Sequence, residues 1–470
     1  MDSTQILQVS HHNIALLPPP GFIGHLIPFI ELAKKLVFHH NCTVTLIISD
    51  YGSPIKLQTS LLRGIPATIS PIFLPLVPTA DLSENLNAEI LLQTRLIRSL
   101  PSLRDALSRA PASALVVDLF APYAIDVARE LGIPAYVFYV VASNELSLTM
   151  NLPELKKSFT FGNVENPELV YLPGSLLLNR EDFPDSLTDS EVNKWTIDLR
   201  EKYLSAEGIL VNTFQELESA AFEHLELLRP GIPPVYPVGP SIRTGLETET
   251  DREPECLKWL DDQPPKSVVF VSFGSGGSLT VDQIRELALG LELSGHRFLW
   301  VVRSPQENAA AAYLKGIDQR NPLECLPEGF LERTEGRGLA VALWAPQIRV
   351  LSHDSTGEFL THCGWNSILE SAVYGMPLIA WPLCFEQKLN ATVLTDGLKG
   401  AMRVRENENG IVERENISNV VKQLMEGEEG KQIRKRMIQL KIAAGNALSR
   451  DGSSTLALAQ VVHNWTTRTK

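Results

Sequence analysis

The residues of this chain best suited to chemistry gather in one stretch. It runs Trp344-Ala-Pro-Gln347, then Thr361-His-Cys-Gly-Trp-Asn-Ser367, then Glu370, and closes on Glu386-Gln387. His362 to Ser367 follow a short apolar run and precede the helix-like Ile368–Val373. A segment that leaves the carboxyl end of a strand and feeds a helix N-terminus is where open α/β sheets bind ligands. Gly364 lets a ligand approach the backbone. Asn366 and Ser367 can cap the helix and offer N–H groups, and the helix dipole favours a phosphate there. His362 adds a donor, and a cation when protonated. Glu370, one turn further in, does nothing for a phosphate but can accept two hydrogen bonds from a ribose diol. Trp344 offers a flat face for a base, and Gln387 carries the donor and acceptor that a sugar requires. Singly, each has a plainer reading: a core Trp, a helix cap, a solvated Glu. Together they fit one ligand class, a nucleoside diphosphate sugar.

Two further loops carry candidate chemistry. Phe273-Gly-Ser-Gly-Gly-Ser278 follows the apolar run Val268–Phe273, and its Ser275 and Gly276 can present N–H groups to a diphosphate. It is not G-x-G-x-x-G, because Leu279 occupies the last glycine position, which weakens a dinucleotide reading. Near the N-terminus, His25 follows Pro18-Pro-Pro-Gly-Phe-Ile-Gly24. A His can take the proton of an alcohol or phenol during attack. The imidazolium so formed calls for a carboxylate to orient and stabilise it. Asp118, after Ala114-Leu-Val-Val117, sits toward the same strand edge. A lone His in a Gly-Pro loop is more often non-catalytic, and an Asp after a strand is often a cap.

The elements that must hold these loops are legible as alternation. Candidate strands are Ile14–Leu17, Val44–Ser49, Ile72–Leu76, Ala114–Phe120, Ala135–Val141 and Ile209–Asn212. A second series is Val268–Phe273, Phe298–Val302, Leu339–Leu343, Phe359–Thr361, Leu378–Trp381 and Ala401–Val404. Their nearly unbroken apolar character suits strands buried on both faces of a parallel sheet. Helix-like stretches lie between them, among them Phe29–His39, Ala121–Glu130, Val281–Leu293 and Ile417–Met425, so a doubly wound α/β fold is expected. The polar stretch 241–254 reads as a linker between an N-terminal half, 1–240, and a C-terminal half, 255–450. Lys431–Trp465 reads as helical, and its end, about 450–470, is expected to pack back onto the first half.

Bulk properties exclude several classes. At 470 residues the chain is too long for one ordinary core. A net charge of −13 argues against nucleic acid, which a basic face would bind. Five scattered cysteines without a C-x-x-C pair argue against a disulfide framework or structural zinc. The first residues lack a basic and apolar leader, no apolar run reaches about 18 residues, and a cytoplasmic protein without a membrane span is expected. The sequons at Asn41, Asn390, Asn416 and Asn464 are then read as chance.

The stretch from Trp344 to Gln387 resembles the signature of the plant secondary-product (family-1) UDP-glycosyltransferases. The resemblance extends through Tyr236-Pro-Val-Gly-Pro240, Cys256-Leu-Lys-Trp-Leu-Asp-Asp-Gln263 and Leu326-Pro-Glu-Gly-Phe-Leu-Glu-Arg333. Hydroquinone (arbutin synthase-like) and monolignol glucosyltransferases are the most similar. The resemblance implies the GT-B fold, two Rossmann-like domains facing a central cleft, with the donor on the C-terminal one. It implies that Trp344 stacks on uracil, Gln347 approaches the uridine, Glu370 holds the ribose, and His362, Asn366 and Ser367 hold the diphosphate. Trp365, Glu386 and Gln387 would face the sugar, and a final Gln is usual for glucose. His25 would be the base and Asp118 its partner. The reaction implied is an inverting transfer from UDP-glucose, a co-substrate, to a small phenolic acceptor, with no other cofactor. No D-x-D motif is present, so no metal is expected, and a monomer is the expected state.

The chain departs from the family pattern in places. Phe22-Ile23 stand where one residue is typical, lengthening the loop before His25, and a shift of about 1 Å there could cost about a hundredfold in rate. Glu358 and Leu343 replace smaller residues, and Cys384-Phe385 replace Tyr-Ala, so Phe385 adds bulk near the sugar or acceptor. Residues 142–200 match least, and Phe120 is the other pocket candidate. The alternatives are a UDP-sugar-binding protein that has lost turnover through the altered His25 loop, and an NAD-linked dehydrogenase with two Rossmann units.

Overall fold

A computed structural model describes residues 12–19, 22–49, 61–78, 81, 88–155, 169–172, 176–243, 253–306 and 321–467. Most of the expected linker lies outside these residues, as do Pro20 and Gly21 of the loop before His25.

Two parallel sheets organise the chain. The first contains β1 (Asn13–Leu17), β2 (Thr43–Ser49), β3 (Ile69–Leu74), β4 (Ala114–Asp118), β5 (Ala135–Tyr139), β8 (Gly208–Val211) and β9 (Val235–Pro237), in the order β3-β2-β1-β4-β5-β8-β9. The second contains β10 (Val268–Ser272), β11 (Arg297–Val302), β12 (Gly338–Ala342), β13 (Thr356–Thr361), β14 (Leu378–Ala380) and β15 (Ala401–Arg403), in the order β12-β11-β10-β13-β14-β15. β4, β5, β8 and β10 are buried throughout, which is why their apolar runs are nearly continuous; β13 is as buried but carries Thr356, Glu358 and Thr361. A small antiparallel hairpin, β6 (Leu169–Leu172) with β7 (Leu176–Asn179), stands apart from both sheets.

The departures from expectation sit at edges and ends. β3 occupies Ile69–Leu74 rather than Ile72–Leu76. It is an edge strand, and its position is set by pairing with β2, Val44 opposite Ile69 and Ser49 opposite Leu74. Val235–Pro237, not among the expected strands, forms the other edge strand, where a proline costs no ladder bond on its solvent side. The expected continuous helix Lys431–Trp465 is two helices, Glu428–Ala447 and Ser453–Thr467. The chain turns tightly between them, since a Cβ on Gly452 would lie 2.2 Å from the Asn446 carbonyl oxygen. The last helix lies against β9, with Trp465 buried edge-on to Tyr136 at 5.6 Å.

Both sheets reverse their order once. The reversals fall between β1 and β4 in the first sheet and between β10 and β13 in the second. Chains leaving adjacent strands in opposite directions open a crevice at the carboxyl edge, the preferred ligand site of such sheets.

Candidate active site

The crevice between β1 and β4 holds His25 and Asp118. Asp118 ends β4 and is fully buried. Its Oδ2 lies 2.9 Å from His25 Nδ1, and its Oδ1 accepts from the Phe120 N–H at 2.9 Å. With both oxygens engaged, the carboxylate has one orientation. It takes a proton-bearing Nδ1, which leaves the lone pair of His25 on Nε2, the arrangement a general base needs. Aromatic rings fix the imidazole further. Phe120 stacks on it at 5.2 Å, Phe22 meets its edge at 5.7 Å, and Trp195 backs Phe120 at 5.5 Å.

His25 is not in a loop, as the sequence suggested. The helix that begins β1's crossover runs Ile23–His40, not from Phe29, and His25 lies in its first turn. Phe22 is the N-cap, and its carbonyl accepts from the N–H groups of both His25 and Leu26 at 3.1 Å. The extra residue before His25 is thus taken up at the helix start, and the His25–Asp118 contact is kept.

Pro28 lies inside this helix. Having no N–H, it cannot donate to the carbonyl four residues earlier, that of Gly24. That carbonyl instead accepts from Asn366 Nδ2 at 2.6 Å. Asn366 belongs to the helix Trp365–Tyr374 that follows β13. One side chain therefore links the donor-side helix to the residue preceding His25. Trp365 makes a second link: only 3% exposed, it donates its indole N–H to the Asn212 carbonyl at 2.8 Å.

The crevice between β10 and β13 holds the expected phosphate region. His362 is clamped between two glycines. A Cβ on Gly274 would lie 2.6 Å from its Cε1, and one on Gly364 would lie 2.4 Å from its Nε2. Gly274 is also in left-handed backbone, φ 73°, so this close approach depends on glycine. Burial, with the nearby Arg303 charge, lowers the His362 pKa to about 4. That shift favours the neutral imidazole, whereas the sequence reading counted His362 as a cation only when protonated. Ser275 is exposed and Gly276 buried in the turn after β10.

The helix Trp365–Tyr374 has Gly364 at its N-cap and no side-chain cap. Asn366 and Ser367, expected as caps, are placed otherwise. Asn366 reaches Gly24, and Ser367 Oγ accepts from Gln347 Nε2 at 3.0 Å. Gln347 also donates to Glu370 Oε2 at 2.6 Å. Gln347, Ser367 and Glu370 thus form one polar cluster, and Trp344, three residues before Gln347, is 59% exposed and not part of the core. Gln387 is buried, and its Oε1 accepts from the N–H groups of Leu383 and Cys384 at 2.9 and 3.1 Å. That oxygen shapes the loop carrying Phe385 and Glu386, both half-buried.

Backbone strain marks the same place. Among the described residues, six non-glycine residues have positive φ. Three of them, Leu343, Cys363 and Phe385, follow β12, β13 and β14 around this crevice. Such conformations persist where the surrounding structure enforces them, often at binding sites. Sequence reasoning missed Pro28, Asn212, Tyr203 and Arg303. Only Asn212 carried a signal, as the polar end of an apolar run.

Comparison with known proteins decides the assignment. The model of the family "UDP-glucoronosyl and UDP-glucosyl transferase" matches residues 186–441. The hydroquinone glucosyltransferase of Rauvolfia serpentina is 50% identical over 96% of this chain and 97% of its own. UDP-glycosyltransferase 72B1 of Arabidopsis thaliana is 48% identical over 96% of each.

The chain belongs to the UDP-glycosyltransferase family.

Solved UDP-glycosyltransferases share its shape. Phytolacca americana UGT2, complexed with UDP-2fluoro-glucose and pterostilbene, superposes with a TM-score of 0.87 at 43% identity, covering 97% of this chain and 99% of that one. A Polygonum tinctorium UDP-glucosyltransferase capable of glucosylating indoxyl, in complex with 3,4-dichloroaniline, gives 0.89 at 45% identity over the same shares. The two sheets of this UDP-glycosyltransferase are the paired Rossmann-like units of the GT-B fold. No helix among the described residues is long and apolar enough to cross a membrane.

Proposed function

We infer that this UDP-glycosyltransferase transfers glucose from UDP-glucose to a hydroxyl of a small phenolic acceptor, with inversion, giving a β-glucoside. The observation that carries the reading is the pairing of the two crevices. His25 and Asp118 stand 2.9 Å apart in one, the phosphate region lies in the other, and Asn366 joins them at Gly24.

In the step that fits, the acceptor oxygen gives its proton to His25 Nε2 as it attacks the anomeric carbon. The bond from that carbon to the diphosphate oxygen breaks on the opposite face, and UDP leaves with the electron pair. Asp118 holds the imidazolium. The uncapped N–H groups of the helix Trp365–Tyr374, with the Ser275–Gly276 turn, meet the departing diphosphate. Trp344 takes the uracil, and Gln347 and Glu370 take the uridine ribose. Trp365, Glu386 and Gln387 border the sugar, with Phe120 and Phe385 on the acceptor side. Displacement at an acetal carbon requires no redox group, and this proposal requires neither a metal nor a further cofactor.

The similar hydroquinone glucosyltransferase supports a phenolic acceptor. The intact His25–Asp118 contact does not favour a binding protein without turnover. Incubation with UDP-glucose and hydroquinone tests the reading: a glucoside should form, and should be lost in His25→Ala. Donor binding with no glucoside from a panel of simple phenols would overturn it.

A further inference from the structure

The helix Ser143–Leu155 follows β5 at the same carboxyl edge as Asp118, and packs against the helix Ser190–Tyr203. Its N-terminus is closed by Glu218, which accepts from the N–H groups of Ser143 and Asn144 at 3.0 Å. The first turn is therefore fixed, and it places Glu145 toward the interior. Glu145 Oε1 accepts from the Thr149 hydroxyl at 3.0 Å. Its Oε2 is buried and has no hydrogen-bond partner among the described residues, while the residue as a whole is only half-buried.

Two neighbours fix where this carboxyl lies. Tyr203, whose hydroxyl donates to the Leu119 carbonyl at 2.7 Å, feels the charges of both Glu145 and Asp118. Glu145 also feels the charge of Glu386, in the loop after β14. Geometry puts Glu145 on the acceptor side of the crevice: its helix follows β5, the neighbour of β4, and packs against the helix whose Trp195 meets Phe120, the ring stacked on His25. Burial pushes its carboxyl up to about 8, against the Thr149 hydroxyl that favours its charged form, and Glu386 adds to the rise. That rise favours the protonated carboxyl, which can donate. An orphaned buried carboxyl oxygen is costly, and no described residue of the chain pairs with this one.

We propose that Glu145 is a specificity-determining residue of the acceptor site, its carboxyl binding a second oxygen of the phenolic acceptor while the reacting hydroxyl faces His25. The inference rests on the glucosyltransferase reading above and names the acceptors it prefers: phenols carrying a further hydroxyl, methoxy or carbonyl oxygen. An apolar substituent there leaves the carboxyl unpaired, which is how a polar site rejects an analogue that lacks the matching group.

The test compares 4-methoxyphenol with 4-ethylphenol, near-equal in size, with UDP-glucose as donor. The wild-type protein is expected to favour 4-methoxyphenol in kcat/KM by about three- to tenfold, the range of one hydrogen bond. Glu145→Leu should abolish or reverse that ratio, and Glu145→Gln, which keeps a donor, should retain most of it. The ratio is internal to each variant, so a general loss of activity does not imitate the effect. A ratio that Glu145→Leu leaves at the wild-type value overturns the inference alone. Absence of product from both phenols with wild-type protein overturns the inference and the functional reading together.

Discussion

The side-chain amide of Asn366 donates to the carbonyl of Gly24 at 2.6 Å, across 342 residues of chain. The bond exists because Pro28 has no N–H to offer that carbonyl. It ties the helix Trp365–Tyr374, proposed above to meet the diphosphate, to the turn that carries His25, the proposed base. Replacing Pro28 with Ala lets the helix reclaim Gly24. The expected result is a higher Tm together with a kcat/KM lowered by about tenfold or more, within the roughly hundredfold that a 1 Å misplacement costs. Asn366→Ala should lower kcat/KM similarly, and the double variant should lose little more than either single one. Additive losses would show that Pro28 and Asn366 act separately.

His25 and Asp118 should show different defects. His25→Ala removes the base and should lower kcat by about 10²- to 10⁴-fold. Asp118→Asn keeps the shape but can favour the wrong tautomer of His25, and should also lower kcat strongly. Neither residue is placed at the donor, so the thermal shift produced by UDP should persist in both variants. Loss of that shift would move the pair to a structural role.

Trp344 gives a third test, because its ring is exposed and packing explains little of it. Trp344→Ala should raise the KM for UDP-glucose and the Ki of UDP together. Base stacking contributes about 1–3 kcal/mol, hence roughly five- to a hundredfold. The apparent KM for the phenol should move far less. Equal changes in both substrates would argue against a uracil contact.

His362 predicts a pH dependence of stability. Burial lowers its folded pKa to about 4, below the ordinary 6.5 of an imidazole. Between these values the unfolded chain binds a proton that the folded chain refuses. Stability should therefore fall as pH is lowered from about 6.5 to about 4, by up to about 1.4 kcal/mol per pH unit from this group. His362→Gln should flatten that part of the curve in denaturant titrations. A curve of unchanged slope would contradict a neutral, buried His362.

The cluster proposed for the donor was readable as a group because Trp344 and Gln347 follow β12 while His362, Ser367 and Glu370 follow β13, the next strand in the chain, so all remain close in sequence. The buried strands were readable for a related reason: two-sided burial writes itself as an unbroken apolar run. Edge strands such as β3 and β9 lack that pressure, and pairing decided their limits instead. The roles of Pro28, Asn212 and Glu145 were hidden, because each depends on a partner more than a hundred residues away or on a neighbour across the cleft. Asn366 was noticed but given the wrong task, since its type suits a helix cap as well as a cross-link. The helix start at Ile23, six residues before the expected one, was hidden because Gly24 and Pro28 argue against a helix there.

The most direct measurement is proton NMR of the product formed from UDP-glucose and a simple phenol, followed from the first minutes. The structure predicts a single aryl glucoside with the large anomeric coupling of the β-anomer, and no detectable aryl glucoside from His25→Ala. An α-glucoside from the wild-type protein, or undiminished β-glucoside from His25→Ala, would contradict in-line displacement with His25 as the base.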